Sequence, residues 1–173
     1  MRGYSDIDFI NKMLNSKIKS LNELIKIVDK LKYQNKKIIT TNGVFDILHL
    51  GHVKYLEEAK KLGDILIVGV NTDKSVKGNK GDKRPINDEK SRMKVLAALG
   101  SVDYVFLFNE KEPSSWINKI KPNIHVKAGD YKLNRIIEKD AVEKNGGKVI
   151  ITKAEKDYST TNLINKILNI YKK

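Results

Sequence analysis

Hydrophobic positions change their rhythm near residue 37. Before it they recur every three to four residues; after it they arrive in short dense runs set between polar stretches. Leu21, Leu24, Ile25, Val28 and Leu31 keep a helical period, and Ser20-Leu21-Asn22-Glu23 has the form of a capping box, so a helix is predicted to start there. Ile7, Ile10, Leu14 and Ile18 predict an earlier, shorter helix. From Lys37 the pattern alternates. Lys37–Thr41, Asp64–Asn71, Asp103–Phe108, Asn123–Lys127 and Lys148–Thr152 read as strands. Asp64–Asn71 is apolar nearly throughout, as in the interior of a parallel sheet. His52–Leu62 (closed by Gly63), Asp88–Leu99, Pro113–Ile120, Asn134–Asn145 and Thr160–Tyr171 read as helices. Thr72–Asn87 holds Gly78, Gly81 and Pro85 among polar residues and reads as a long exposed loop.

Five strands alternating with helices predict an α/β fold built on a doubly wound, five-stranded parallel sheet. Residues 1–36 are expected to form a helical segment packed on the core, and residues 37–173 a single folded unit. Ligands of such sheets sit beyond the carboxyl ends of the strands, where the strand order reverses. The segments to read for chemistry are therefore 41–52, 71–87, 109–113, 127–131 and 153–161.

Composition narrows the classes. The chain has 173 residues, 40% of them hydrophobic, which is enough for one ordinary domain with a core. It has no cysteine, so disulfides and thiolate metal sites are excluded and a reducing, cytoplasmic setting is expected. No apolar run reaches membrane-spanning length, and the N-terminus, with Asp6 and Asp8, does not read as a secretory signal. The net charge of +13 points to anionic partners. Only four of the 34 basic residues are arginines (Arg2, Arg84, Arg92, Arg135), and the lysines are scattered, which reads as a compositional habit more than a nucleic-acid surface.

The chemistry concentrates in Thr41-Asn42-Gly43-Val44-Phe45-Asp46-Ile47-Leu48-His49-Leu50-Gly51-His52, where a strand runs into a helix. His49 and His52 stand three apart, able to face one pocket at the helix start, and Gly51 lets the chain pass close to a ligand. The helix N-terminus adds free N–H groups and partial positive charge, completing a clamp for phosphates. Zinc is the competing use of a His-x-x-His pair. No third strong ligand lies nearby in sequence, and the remaining histidine is His125.

Gly43-Val44-Phe45-Asp46 followed by His49-Leu50-Gly51-His52 resembles the signature of cytidylyltransferase-like nucleotidyltransferases. Tyr158-Ser159-Thr160-Thr161, before the last helix, resembles the Ser-Thr-Thr element that holds the triphosphate in that family, although Ser159 or Thr160 would also serve as a plain N-cap. The resemblance implies a Rossmann-like fold of the His-x-Gly-His type, with residues 37–173 as the nucleotidyltransferase domain. From about Lys17 to Ile167 the chain is more narrowly similar to adenylyltransferases acting on D-glycero-β-D-manno-heptose 1-phosphate. The segments that carry this likeness are 41–52, Val70–Asp73 with Ser75-Val76-Lys77, Arg84-Pro85-Ile86-Asn87, Arg92 with Val95–Leu99, Val102-Asp103, and Val126–Tyr131. Ala128 departs from it, standing where a second glycine is expected.

That resemblance implies transfer of AMP from ATP to the heptose 1-phosphate, giving ADP-heptose, a precursor of surface glycans, and pyrophosphate. It implies His49, His52 and Lys127 as catalytic residues, with Val44, Phe45, Gly51, Ser159, Thr160 and Thr161 joining the two histidines around the nucleotide. Asn42, Asp46, Lys77, Arg92 and Asp130 are then expected around the substrates, Asp46 orienting the loop or the acceptor and Arg92 either pairing with a carboxylate or lining the pocket. Mg²⁺ is expected to arrive with ATP, with no dedicated protein cage but with Asp130 able to reach it through water. Trp116, in a helix, reads as core. The expected partners are ATP and a sugar 1-phosphate, with no nucleic acid and no membrane, in a homo-oligomer, a dimer by likeness to relatives. The clamp sees phosphates only, so a cytidylyltransferase for glycerol 3-phosphate or a related alcohol phosphate is the alternative reading. A non-catalytic nucleic-acid-binding domain is the remote one. It rests on charge alone, without interleaved aromatic and basic residues.

Overall fold

The structure is a computed structural model that describes residues 3–109, 113–129, 136–153 and 158–172, with side chains from residue 6 onward. Two helices precede the sheet, α1 (Gly3–Lys17) and α2 (Leu21–Tyr33). Then follow β1 (Ile38–Gly43), α3 (Leu50–Lys60), β2 (Ile65–Asn71), α4 (Asp73–Lys80), α5 (Glu89–Ala97), β3 (Tyr104–Phe108), α6 (Ser114–Ile120), β4 (Ile124–Ala128), α7 (Lys139–Lys144), β5 (Lys148–Thr152) and α8 (Thr160–Tyr171). All four strand pairings are parallel, in the order β3-β2-β1-β4-β5. The chain builds outward from β1 through β2 to β3, then crosses back to set β4 on the other side of β1. The topological switch therefore lies between the carboxyl ends of β1 and β4, at Asn42-Gly43 and Lys127-Ala128.

The strands bury both faces. Ile39, Leu66, Val68, Val70 and Val105 pack with Leu56, Ala59, Leu96 and Ala97 of α3 and α5. Ile38, Ile67 and Phe106, one residue out of phase, pack with Leu24 and Val28 of α2 and with Trp116, Ile117 and Ile120 of α6. Trp116 lies in this second core, edge-on to Phe106. The capping box at Ser20 is present in full, with Glu23 Oε2 accepting from the Ser20 backbone N–H at 2.8 Å. α1 is attached chiefly through its end. Lys17 Nζ donates to the carbonyls of Leu99 and Val102, while Ile7, Phe9, Ile10 and Met13 stay exposed.

The structure differs from the pattern reading in three places. Residues 73–80 are helical, not loop: Thr72 caps the turn by accepting from the Ser75 N–H, and Val76 is fully buried. One buried apolar side chain in a lysine- and glycine-rich stretch is too sparse to show a period. The first clamp helix starts at Leu50, before His52, because His49 takes the N-cap position in extended backbone. α7 is a six-residue helix from Lys139, shorter than the span predicted from Asn134, whose first two residues lie outside the described ones.

Candidate active site

Beyond the carboxyl ends of the strands lies an open cavity of about 330 Å³. It is lined from several elements at once: Val44 to His52 after β1, Lys80 and Arg84 after β2, Ala128 at the end of β4, and Lys153 and Tyr158 to Thr161 after β5. The first turns of α3 and α8 both open onto it, through Gly51-His52 and Thr160-Thr161. Two helix N-termini thus bring free N–H groups and partial positive charge to one place. Ser159 is the N-cap of α8, its Oγ accepting from the Asn162 N–H at 3.0 Å, and Thr160 and Thr161 follow it in the cavity lining.

His49 makes no side-chain cap bond, which leaves its ring for the cavity. The rings of His49 and His52 stack with centroids 3.8 Å apart. The Nδ1 atom of each is buried without a hydrogen-bond partner. Burial lowers the pKa of both, and the neighbouring His49 adds to the effect on His52, which falls to about 4. Both imidazoles are therefore neutral N–H donors at neutral pH. Gly51 makes the assembly possible. A Cβ there would stand 2.9 Å from Tyr158 Cβ and 3.1 Å from His49 Nδ1. The segment leading into α8 closes on the histidine loop only because that methyl is missing.

The loop carrying the motif is held by two charged anchors. Asp46 is buried and accepts from the Ile86 and Asn87 N–H groups and from Arg84 Nε at 2.5 Å. Its pKa is lowered. Burial, the largest influence, acts the other way, but the Asn87 and Ile86 amides and the Arg84 guanidinium together outweigh it. Asp46, expected to orient the loop or the acceptor, lines the cavity with its oxygens engaged by the 84–87 segment, the arrangement of a loop anchor. Arg92, expected to pair with a carboxylate or line the pocket, is turned inward and 2% exposed. Its guanidinium donates to the carbonyls of Val44, Asn71 and Asn87 and pairs with Asp73. It ties the ends of β1 and β2 together. Lys77 is exposed and outside the cavity lining, which Lys80, one turn on, reaches instead. The helical backbone of α4 makes that choice, and a loop reading had no way to see it.

Lys127 lines a smaller adjoining cavity of about 180 Å³ with Asn42, Gly43 and Ala128. Its ammonium donates to Asn42 Oδ1 at 2.9 Å and pairs with Glu138. Asp130 lies outside the described residues. Among the described residues no group of three or more His, Cys, Asp or Glu side chains is placed to hold a metal ion, and no helix is long and apolar enough to cross a membrane. His125 is remote from the cavity, buried within β4 with Thr40 Oγ1 2.9 Å from its Nδ1. Lys80, Lys153 and Glu138 escaped the motif reading, and Arg84 entered it only within the segment 84–87, with no role assigned. Arg84, one of four arginines in a lysine-rich chain, carried the only compositional signal among them.

The cytidylyltransferase-like family profile matches residues 40–166. The bifunctional protein HldE of Geobacter metallireducens is 48% identical over 157 residues, 91% of this chain and 32% of the relative. HldE of Actinobacillus pleuropneumoniae serotype 5b is 54% identical over 145 residues, 84% of this chain and 30% of the relative. The chain thus spans about a third of the length of these curated relatives. Among solved structures, the lipopolysaccharide core biosynthesis protein of Thermoplasma volcanium GSS1 matches with a TM-score of 0.58 and 37% identity, over 69% of this chain and 97% of that one. A pantoate-β-alanine ligase from Francisella tularensis, at 19% identity and TM-score 0.55 over 90% of this chain and 79% of that one, shares the fold.

Proposed function

The chain belongs to the cytidylyltransferase-like family of nucleotidyltransferases, and from that premise we propose that it transfers AMP from ATP to D-glycero-β-D-manno-heptose 1-phosphate. The products are ADP-heptose and pyrophosphate. The observation that carries the reaction type is the convergence of His49, His52 and two helix N-termini on one cavity. The acceptor is argued from the segments 70–99 and 126–131 and from the similarity to HldE and to a lipopolysaccharide core biosynthesis protein.

In this reading an oxygen of the sugar phosphate attacks the α-phosphorus in line. An O–P bond forms, the bond to the β-phosphate oxygen breaks, and pyrophosphate leaves with the electron pair. The acceptor is already an anion, so no protein nucleophile is needed, and catalysis is positioning plus stabilisation of charge. His49 and His52 donate N–H groups toward the α- and β-phosphates. Thr160, Thr161 and the amides of α8 hold the outer phosphates, and Lys80, Arg84 and Lys153 balance their charge. Lys127 meets the substrates from the switch point between β1 and β4. Among the described residues the one carboxylate lining the main cavity, Asp46, is engaged by Arg84 and two amides. Mg²⁺ would come in on the nucleotide's phosphates and would neutralise charge there, with Asp130 as the residue expected to reach it through water. The setting is the cytoplasm, where ATP is made available.

The test is a substrate panel read by pyrophosphate release: ATP and CTP, each against heptose 1-phosphate and glycerol 3-phosphate. ATP with the heptose phosphate is expected to be the fastest pair. CTP with glycerol 3-phosphate outpacing it would replace the proposed acceptor and base while leaving the reaction type in place.

A further inference from the structure

Lys127 is the only one of the three expected catalytic residues whose charge is already matched by the protein. Its side chain leaves β4 at the topological switch and reaches Asn42 on β1, across the crevice the ligand must enter. Behind it stands Glu138, at the start of α7, 5% exposed and paired with the Lys127 ammonium. Glu138 lines neither of the two cavities next to the switch point. Among the described residues it touches the site only through Lys127.

A lysine on a flexible four-carbon stem has many rotamers, and in a cavity rich in phosphate it would follow the strongest nearby anion. The carboxylate behind it and the amide beside it remove that freedom. A buried carboxylate is itself tolerable only when paired, so the two groups hold each other in one arrangement before substrate arrives.

We infer that Glu138 is a positioning residue for the reaction: it fixes the Lys127 ammonium at the mouth between β1 and β4 and prevents it from collapsing onto the triphosphate. The inference rests on the reading of Lys127 as a site residue. The competing use of such a pair is structural, pinning residues 136–138 to β4. That use predicts a change in melting temperature with kcat untouched.

The experiment is a double-mutant cycle on the full chain, with Lys127→Ala, Glu138→Gln, Glu138→Ala, Glu138→Asp and the pair Lys127→Ala/Glu138→Ala. It uses ATP and heptose 1-phosphate, or whichever pair the substrate panel selects. Glu138→Gln keeps the volume and is expected to lower kcat about tenfold while KM for the nucleotide moves less than about threefold, the pattern of lost alignment. Glu138→Asp keeps the charge and recovers part of the loss. The double variant should be no slower than Lys127→Ala to within about twofold, because both substitutions remove one function. A readout without turnover is reductive methylation of lysines mapped by peptide mass spectrometry: Lys127 should be protected in the wild type and exposed to reagent in Glu138→Gln. Wild-type kcat in Glu138→Gln beside a slow Lys127→Ala, or multiplying effects in the double variant, overturns the positioning role and leaves Lys127 in the site. Wild-type kcat in Lys127→Ala overturns the reading of Lys127 itself. Equal methylation of Lys127 in wild type and Glu138→Gln overturns the restraint whatever the substrate.

Discussion

The imidazole rings of His49 and His52 lie nearly parallel, 22° between planes, with centroids 3.8 Å apart and neither Nδ1 bonded. Two imidazolium ions would repel at that distance, and burial already favours the neutral forms. The stack is therefore a pair of uncharged donors facing a cavity lined by lysine and arginine. In the proposed reaction such donors meet a group that brings its own negative charge, and little need reorganise when charge shifts.

Removing either donor should slow chemistry more than it loosens the fold. His49→Ala and His52→Ala are each expected to cost on the order of 10²–10³ in kcat, the usual loss for one well-placed donor. Pyrophosphate release checks this, with circular dichroism to show that the variants fold. A His52→Ala enzyme turning over at the wild-type rate would remove the clamp from the mechanism.

Acid should destabilise the protein through the same residue. His52 sits at about 4 in the folded chain, below its ordinary value of 6.5, so the unfolded chain binds that proton more readily. Its contribution to stability is complete above 6.5 and is lost as the pH falls toward 4. Melting temperatures across that window should fall more steeply for wild type than for His52→Gln. A bound polyanion favours the imidazolium, so pyrophosphate binding at about pH 5.5 should take up protons. Calorimetry in buffers of different ionisation enthalpy measures the uptake, and a buffer-independent enthalpy would contradict it.

Gly51→Ala places a methyl 2.9 Å from Tyr158 Cβ and 3.1 Å from His49 Nδ1. One side must move. Either the 158–161 segment backs away or the His49 ring turns, and both separate the two halves of the proposed phosphate site. Overpacking of this kind typically costs about 1–3 kcal/mol. A raised KM for the nucleotide and a lower melting temperature are expected together. An unchanged KM would mean that the 158–161 segment does not contact the nucleotide.

Lys80 and Lys77 separate the structural assignment from the linear one. Lys80→Ala is expected to raise KM for the nucleotide about tenfold or more, the scale of one charge-assisted hydrogen bond. Lys77→Ala, exposed and off the cavity, should stay within about twofold. Steady-state kinetics on the two variants decides, and a reversed order would place the loop residues differently around the ligand.

Arg92→Ala should act on stability first. The side chain is fully buried and satisfies carbonyls from three segments besides pairing with Asp73. Leaving those groups unpaired typically costs about 3–5 kcal/mol. Arg92→Lys should restore little of it, because an ammonium lacks the planar fork. Urea unfolding measures both.

The parts of this protein that could be read along the chain are those whose signals are local. Five strand runs, the capping box at Ser20, the His49 to His52 turn and the Ser159-Thr160-Thr161 helix start each depend on neighbours within a few residues, and all appear in the fold. The phosphate reading of the 49–52 turn also came from local spacing, since histidines at i and i+3 over a helix N-terminus suit phosphate oxygens and no third metal ligand stood nearby in sequence. Only the tertiary structure decided which charged side chains line the cavity. Arg92 turned inward because three backbone carbonyls converged where its fork fits, and Lys80 displaced Lys77 because residues 73–80 coil into a helix. Glu138 came to stand behind Lys127 because β4 and the start of α7, eleven residues apart, fold against each other. Side-chain direction in such places is set by long-range packing, which leaves no mark in local spacing.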